Sequence, residues 1–259
     1  MDTSYQIDIL DRPGRQWTEE AIARLQDELC QLGSLCLSSL PEYQVFDRSS
    51  HGALDDKLIA TARKNGEIIA AVSAIWLSIP GFPQPILHTG LTLVHPKYRN
   101  SGINVQLIGT QWLYVLRRYP KGLWLSTLAE VVSSLVHITK FTTNVFPSPQ
   151  WSQDNPTGDP SSTHLLIAPA ISTMHRQKML ISPDAMFDER TFVLRGSNDC
   201  KQGSVFKKGL DDKTFWHRDI QTSMFLRLLL RSNAGARLYK YLSWIQFIFG
   251  SCLERGLPK

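Results

Sequence analysis

The chain has 259 residues, of which 42% are hydrophobic and 20% are charged, a balance that allows a sizeable core and excludes global disorder. Its net charge of +5 suits an anionic small ligand, but the basic residues are scattered and carry no nucleic-acid-binding signature, so nucleic acid is not expected as a partner. The four cysteines form no Cys-x-x-Cys pair and have no histidine at zinc-finger spacing, which predicts reduced thiols and no metal.

Signals for export or membrane insertion are not evident. The N-terminal stretch MDTSYQIDILDRP is polar and acidic, so no secretory signal is expected, and no apolar run reaches the length of a membrane span. We therefore expect a cytoplasmic location. The apolar residues 241–253 are expected to pack on the sheet or in a homodimer, with interfacial membrane contact as the alternative.

The first half of the chain reads as a strand, a helix and a hairpin. Residues 5–10 alternate apolar and polar, which predicts a strand. Thr18 is the expected N-cap of a helix that runs to about residue 32, where Gly33 would end it. Residues 56–63 and 67–79 are predicted to be antiparallel strands joined at Asn65-Gly66, the strongest two-residue turn signal in the chain.

The most informative stretch follows this hairpin. Residues 86–94 are largely apolar and predict a buried strand, which His95-Pro96 ends because proline removes a ladder donor. Residues 97–102 form a basic turn that contains Gly102, and residues 103–119 have the apolar spacing of an amphipathic helix. A strand that runs through a turn into a helix N-terminus predicts an anion site, because free backbone N–H groups and the helix dipole point at it.

The pattern Val94-x-Pro96-x-Tyr98-Arg99-x-x-Gly102 resembles the acyl-CoA-binding motif of the GNAT superfamily of N-acetyltransferases. That motif is Gln/Arg-x-x-Gly-x-Gly/Ala, so Arg99 and Gly102 match, whereas Asn104 departs from the small residue that the family prefers. The resemblance implies an α/β (α+β) fold with a mixed, mostly antiparallel sheet flanked by helices and a helical C-terminal extension. It also implies acetyl-CoA or another acyl-CoA as cofactor, with these cofactor-binding residues: Val94, Arg99, Asn100, Ser101, Gly102, Ile103 and Asn104.

The second half is less regular. A strand is predicted at 122–128, helices at 130–141 and from 164 to about 180 (capped by Ser162 or Thr163), a strand from about 187 to 194, and short strands at 205–206 and 214–217. We expect a single domain over 1–259, with a core at about 3–145 plus strands in 190–220. An inserted loop would occupy about 146–163, and C-terminal helices would occupy about 221–255, including residues 221–231.

Two residues are candidates for acid–base chemistry. Regular alternation would place His88, Gly90 and Thr92 on one face of the motif strand, and in the GNAT family this region often carries a general base. His88 is therefore implied as catalytic, with a hydrogen-bonded core histidine as the alternative. Glu130, just after the predicted fifth strand, is implied as a second base, with a first-turn carboxylate that complements a helix dipole as the alternative.

The resemblance also implies substrate contacts near the cleft between the fourth and fifth strands. The candidate substrate-binding residues are Tyr43, Phe46, Thr92, Ser126, Asn144, Trp216 and His217. Ordinary packing of the aromatic side chains and backbone capping by the hydroxyls and amide remain alternatives.

Three functions follow from these observations. The first is acyl-CoA-dependent acyl transfer to a small-molecule amine or hydroxyl. Residues 129–150 contain no tyrosine, although many family members use one there to protonate the leaving thiolate. Together with Asn104, this departure favours a second possibility: a GNAT-fold enzyme that has lost CoA and cyclises or isomerises an apolar intermediate in natural-product biosynthesis. The third is a non-catalytic binding protein.

Overall fold

The computed structural model describes residues 4–48, 52–129, 142–147, 159–196 and 220–228. Within them, nine strands form one sheet. The strands are β1 (Gln6–Asp11), β2 (Lys57–Lys64), β3 (Glu67–Leu77), β4 (Ile86–Val94), β5 (Leu123–Ala129), β6 (Thr143–Phe146), β7 (Met186–Asp188), β8 (Val193–Arg195) and β9 (Ile220–Leu228). Three α-helices in the described part are α1 (Glu19–Cys36), α2 (Ile103–Arg118) and α3 (Ser162–Met174).

The strand order is β1-β2-β3-β4-β5-β9-β8-β7, and β6 also pairs with β9. Strands β4 and β5 are parallel, whereas every other described pair is antiparallel. This topology confirms the predicted fold class, a mixed and mostly antiparallel GNAT-like sheet flanked by helices. The parallel pair is joined through α2, since parallel neighbours need a crossover connection.

The helices cover the sheet on both faces. Leu25, Leu29 and Leu32 of α1 pack on one face with Leu91 and Leu93 of β4. On the other face, α2 packs against β2, β3, β4 and β5. Its buried side chains there are Ile103, Leu107, Trp112, Val115 and Leu116. A residue row of this spacing is the apolar stripe that the sequence predicted for α2.

Local signals in the first half are confirmed. The hairpin turns at Asn65 (φ 52°) and Gly66 (φ 85°), the pair of positive φ angles that this two-residue turn requires. Thr18 caps α1, because its side chain accepts a hydrogen bond from the Ala21 N–H at 3.4 Å. Gly33 does not end the helix, however. Gly33 lies inside α1, where it packs closely against Phe46. A Cβ at this position would meet the Phe46 ring at 2.6 Å, so glycine is needed for packing rather than to end the helix.

A β-bulge in β4 places Thr92 on a different face of the sheet from the predicted one. Val72 pairs with Thr92, but Ala74 pairs with Thr89, so Ser73 faces two residues of β4. Leu91 and Leu93 consequently pack with α1, whereas Val94 packs with Ile103 of α2. Thr92 therefore belongs to the α2 face, and the prediction that His88, Gly90 and Thr92 share one face is wrong.

Several second-half predictions also need correction. Residues 220–228 form strand β9 rather than the start of a helix, and residues 222–228 of β9 pair with the whole of β5. The strand predicted at 187–194 is instead the hairpin β7–β8, which turns at Phe192 (φ 58°). The cap of α3 is Ser161 rather than Ser162 or Thr163, and α3 ends at Met174 rather than near residue 180. Helix α3 lies outside the predicted core, but Ile167 and Ile171 pack against Ile86 of β4 and Trp124 of β5 and so belong to the hydrophobic core.

Other predictions lie outside the described residues: the helix at 130–141, the short strands at 205–206 and 214–217, and the C-terminal helices beyond 228. The same holds for the candidate site residues Glu130, Trp216 and His217. Among the described helices, none has both the length and the apolar character needed to cross a membrane.

Candidate functional site

Strands β4 and β5 diverge, and the gap between them is the centre of the site. Their register comprises two residue pairs, Leu87 with Leu125 and His88 with Ser126. Strand β4 continues to Val94 and β5 to Ala129 without further pairing between them. A gap therefore opens beyond His88 and Ser126, which stand at its narrow end. Strand edges that face such a gap present backbone N–H and C=O groups to a ligand.

The turn after β4 lies at the wide end of this gap. A short 3₁₀ turn at Pro96–Tyr98 is followed by Asn100 (φ 64°) and Gly102 (φ 80°), and α2 begins at Ile103. An L side chain rarely adopts the φ of Gly102, which explains why glycine occupies this position. A Cβ added at Gly102 would have no atom within 4 Å, so the turn is open to solvent.

The N-terminus of α2 suits an anion. No side chain caps it, and its first turn has no acidic residue. The side chains of Arg99, Asn100, Ser101 and Asn104 are exposed, whereas that of Ile103 is buried under the sheet and fixes the start of the helix. Backbone N–H groups and the helix dipole at such a terminus favour phosphate groups.

The end of α1 is attached to the same turn. Cys36 donates its S–H to the Val94 carbonyl oxygen at 3.3 Å. Burial raises the pKa of this thiol, and the nearby Arg99 guanidinium opposes that rise. The contact holds the last residue of β4, which was predicted to be a cofactor contact, against the helix that packs on the opposite face from α2.

His88 lies at the narrow end of the gap, in the core. It is 1% exposed, its Nδ1 is 2.9 Å from the Ser126 hydroxyl, and its Nε2 is 3.4 Å from the Tyr43 hydroxyl. Burial lowers the pKa of His88 to about 3, and His175 adds to that effect. The ring is therefore neutral near pH 7. Burial also raises the pKa of Tyr43 to about 12, so the phenol keeps its proton.

The polar chain continues through two residues that the sequence did not single out. Gln44 donates from Nε2 to the Tyr43 hydroxyl at 3.0 Å, and its Oε1 accepts a hydrogen bond from Ser73. Gln44 is 2% exposed and has φ 52°, and its amide lies directly over Gly90 at the β-bulge. A polar residue next to a predicted site aromatic was the only signal for it in the sequence.

A small pocket opens from His88 and Ser126 towards α3. Its lining includes His88, Ser126, Thr127, Ile171, Ser172 and Met179. The Ser172 hydroxyl donates to the Pro169 carbonyl oxygen within α3 at 3.0 Å. The pocket walls combine hydroxyls with apolar side chains.

The remaining candidates are not gathered at this pocket. Phe46 is 6% exposed and packs among the leucines of α1, so its ring belongs to the core. The Thr92 side chain is exposed on the α2 side of the gap. The Asn144 carbonyl oxygen lies 2.9 Å from His164 Nε2, which joins β6 to the first turn of α3. No group of three or more potential metal ligands was found among the described residues.

Comparisons with known proteins give matches among solved structures. No family model and no curated protein matches the chain. An aminoglycoside acetyltransferase from an uncultured soil metagenomic sample is 16% identical over 54% of this chain and 92% of that one, with a TM-score of 0.38. Escherichia coli ElaA is 12% identical over 57% and 90%, with a TM-score of 0.39. A GNAT family acetyltransferase from Brucella melitensis, solved with acetyl-CoA, is 16% identical over 50% and 79%, with a TM-score of 0.35. The fold class rests on the sheet topology described above.

Proposed function

We propose that this chain is an acyl-CoA-dependent acyltransferase that acts on a small-molecule amine or hydroxyl. The observation that carries the proposal is the combination of the β4–β5 gap with the open turn at Gly102. One gap then offers peptide groups along its edges, an anion-binding helix terminus at its wide end and the buried polar side chains of His88 and Ser126 at its narrow end. These are the three features that a long ligand with a phosphate end and a reactive end requires.

Residues of the chain have separate tasks in this proposal. The amides around Gly102 and Ile103, together with Arg99, would bind the pyrophosphate of CoA. The edges of β4 and β5 would hold the pantetheine arm and orient the thioester near His88 and Ser126. The acceptor would approach from the α3 side of Ser126, so that its nucleophile meets the thioester carbonyl in a fixed geometry.

The residues present fit such a ligand. Gly102 leaves space at the turn, and the uncapped first turn of α2 carries no competing carboxylate. Asn104, which departs from the family pattern, has an exposed side chain, and its backbone N–H is that of any residue at this position. Asn104 therefore leaves the backbone donors of the turn in place.

We expect Gly102→Glu to weaken acetyl-CoA binding at least about 30-fold, because a carboxylate at the turn would repel the pyrophosphate, and like charges in contact cost several kcal/mol. Isothermal titration calorimetry with acetyl-CoA and with CoA measures this effect. Gly81→Glu is the matched control. Gly81 also has a positive φ (76°) and open space around it, but it lies before β4, at the end opposite Gly102.

The two variants carry the same backbone strain, so a loss confined to Gly102→Glu locates the binding at the turn. Equal affinities for both variants and the unsubstituted chain would contradict the proposed binding mode. If the unsubstituted chain fails to bind CoA at millimolar concentration, acyl transfer is excluded. The GNAT-fold isomerase or cyclase and the non-catalytic binding protein then become the functions to test.

A further inference from the structure

Five polar side chains form a continuous buried chain across the centre of the sheet. They come from β3, β4, β5 and the segment after α1: Ser73, Gln44, Tyr43, His88 and Ser126. Four of them are 1–2% exposed, all except Tyr43. Polar groups buried in an apolar sheet are costly unless they are satisfied, so the direction of each hydrogen bond is constrained.

The direction of each hydrogen bond follows from the Ser73 end of the chain. The Ser73 hydroxyl donates to Gln44 Oε1, which fixes the amide so that Nε2 donates to the Tyr43 oxygen. The desolvated Tyr43 O–H needs an acceptor, and the Gln44 amide nitrogen cannot be one. His88 Nε2, at 3.4 Å, is therefore inferred to accept it. His88 then carries its proton on Nδ1, which donates to the Ser126 oxygen.

Ser126 is the last member of this chain and the one that lines the pocket. Its oxygen accepts from His88, so its hydroxyl hydrogen is available to a ligand. The His88–Ser126 pair is also the last pair of β4 and β5 before the gap opens. A donor is therefore placed where the proposed function puts the thioester.

We propose that the Ser126 hydroxyl is the proton donor to the leaving thiolate, and that His88, Tyr43 and Gln44 are positioning residues that hold its oxygen as an acceptor. The inference rests on the proposed acyl transfer. It assigns the acid that the sequence does not supply as a tyrosine in 129–150.

The step balances without a further reactant. The acceptor nucleophile forms a bond to the acyl carbon, the carbon–sulfur bond breaks, and the Ser126 proton moves to sulfur. The acceptor releases its own proton to water, and the Ser126 oxygen regains a proton from water after the thiol has left. His88 keeps its Nδ1 proton, which donates to the Ser126 oxygen throughout. In this arrangement His88 is not a general base, because its Nε2 lone pair already accepts the Tyr43 O–H.

The neutral state of the ring agrees with this role. Burial keeps His88 uncharged near neutral pH, and a neutral imidazole can accept at one nitrogen while it donates at the other. Burial likewise keeps Tyr43 protonated. The ionisable groups near the His88 ring in the described part are Tyr43 and His175.

The kinetic test compares Ser126 with Ser34, an exposed serine of α1 that lies outside the site. Release of thiol from acetyl-CoA is followed with a thiol reagent, with water and then a panel of amines as acceptors. Ser126→Ala should lower kcat about 100-fold with less than a twofold change in the acetyl-CoA Kd, and Ser126→Thr should recover most of the activity. Ser34→Ala, whose exposed hydroxyl donates to the Cys30 carbonyl oxygen within α1, should change neither.

A donor with a better leaving group separates proton donation from other roles. The acetyl thioester of an acidic aryl thiol needs little protonation when the bond breaks, so Ser126→Ala should lose less than about fivefold with it. An equal loss with both donors would overturn the inference, and so would equal rates for Ser126→Ala and Ser34→Ala. If the unsubstituted chain binds acetyl-CoA but releases no thiol, both this inference and the proposed function fail.

A second measurement does not depend on catalysis. Two-dimensional NMR of ¹⁵N-labelled histidine in the full chain should show His88 neutral with its proton on Nδ1 at pH 7, and Tyr43→Phe should remove that preference. A proton on Nε2, or a charged ring, would overturn the directional chain even if acetyl-CoA binds and reacts. The expected tautomer in a chain that does not bind CoA would leave the polar chain intact and contradict the proposed function alone.

Discussion

Gly90→Ala is expected to destabilise the folded chain by about 2–3 kcal/mol, because the bulge has no room for a methyl group. A Cβ at this position would meet the Gln44 amide at 1.9–2.1 Å. That amide is at the end of a flexible side chain, but it is buried and bonded to both Tyr43 and Ser73. Moving it breaks two buried hydrogen bonds. Backbone strain is not the cause, since Gly90 is not among the positive-φ glycines.

A double-mutant cycle with Gln44→Ala tests this cause. Urea unfolding of the parent, both single variants and the double variant gives the coupling free energy. The double variant should be more stable than the sum of the single losses predicts, by at least about 1 kcal/mol, because truncated Gln44 no longer opposes the new methyl group. Additive losses would mean that the amide moves aside without cost, and the close packing of Gln44 on Gly90 would then have no energetic weight.

As the pH drops from 6 to 4, the free energy of unfolding is expected to fall by on the order of 1 kcal/mol for each pH unit because of His88 alone. Its folded pKa of about 3 lies below the usual value of 6.5. Between these values the unfolded chain binds about one proton more than the folded chain. The stabilisation is therefore fully present above pH 6.5 and is lost as the pH falls towards 3.

His88→Gln is the control for this pH dependence, since glutamine keeps a donor and an acceptor but does not titrate. Its unfolding free energy should depend less steeply on pH than that of the parent. The difference in slope should correspond to about one proton fewer taken up on unfolding over this range. The Asp56 carboxyl, whose pKa is lowered by Lys178 and Lys57 against the effect of burial, contributes a loss of the same sign at lower pH in both proteins. Parallel curves would show that the His88 ring is not buried as a neutral group.

Elements with local signals could be predicted from the residue pattern alone. Strand β4 has the predicted bounds, and the turn at Gly102 and the apolar stripe of α2 follow from residue types that the backbone requires. The Asn65-Gly66 hairpin and the Thr18 cap are equally local, because a positive φ or a capping hydroxyl acts within a few residues. These elements already included the anion-binding turn and the strand that contains His88.

Strand β9 shows where local signals were insufficient. Its alternate residues Ile220, Thr222, Met224, Leu226 and Leu228 have strand spacing, but they also suit a helix, and the intervening residues include the apolar Phe225. Pairing with β5 along seven residue pairs decides the matter. The pairing partner is about 100 residues away in the chain, so its contribution has no trace in the local pattern.

The contacts among the site residues depend on packing between segments that are distant in the chain. The bulge opposite Ser73 moves Thr92 away from His88, and bulges depend on what packs above the strand, here the Gln44 amide on Gly90. The end of the β4–β5 pairing at His88 and Ser126 is likewise a relation between two strands. Sequence reasoning found His88, Ser126 and Tyr43 separately because each is a polar or aromatic residue at a strand or loop position. Their order in one directed chain depends on distances of about 3 Å between segments far apart in sequence, and only packing in three dimensions sets these.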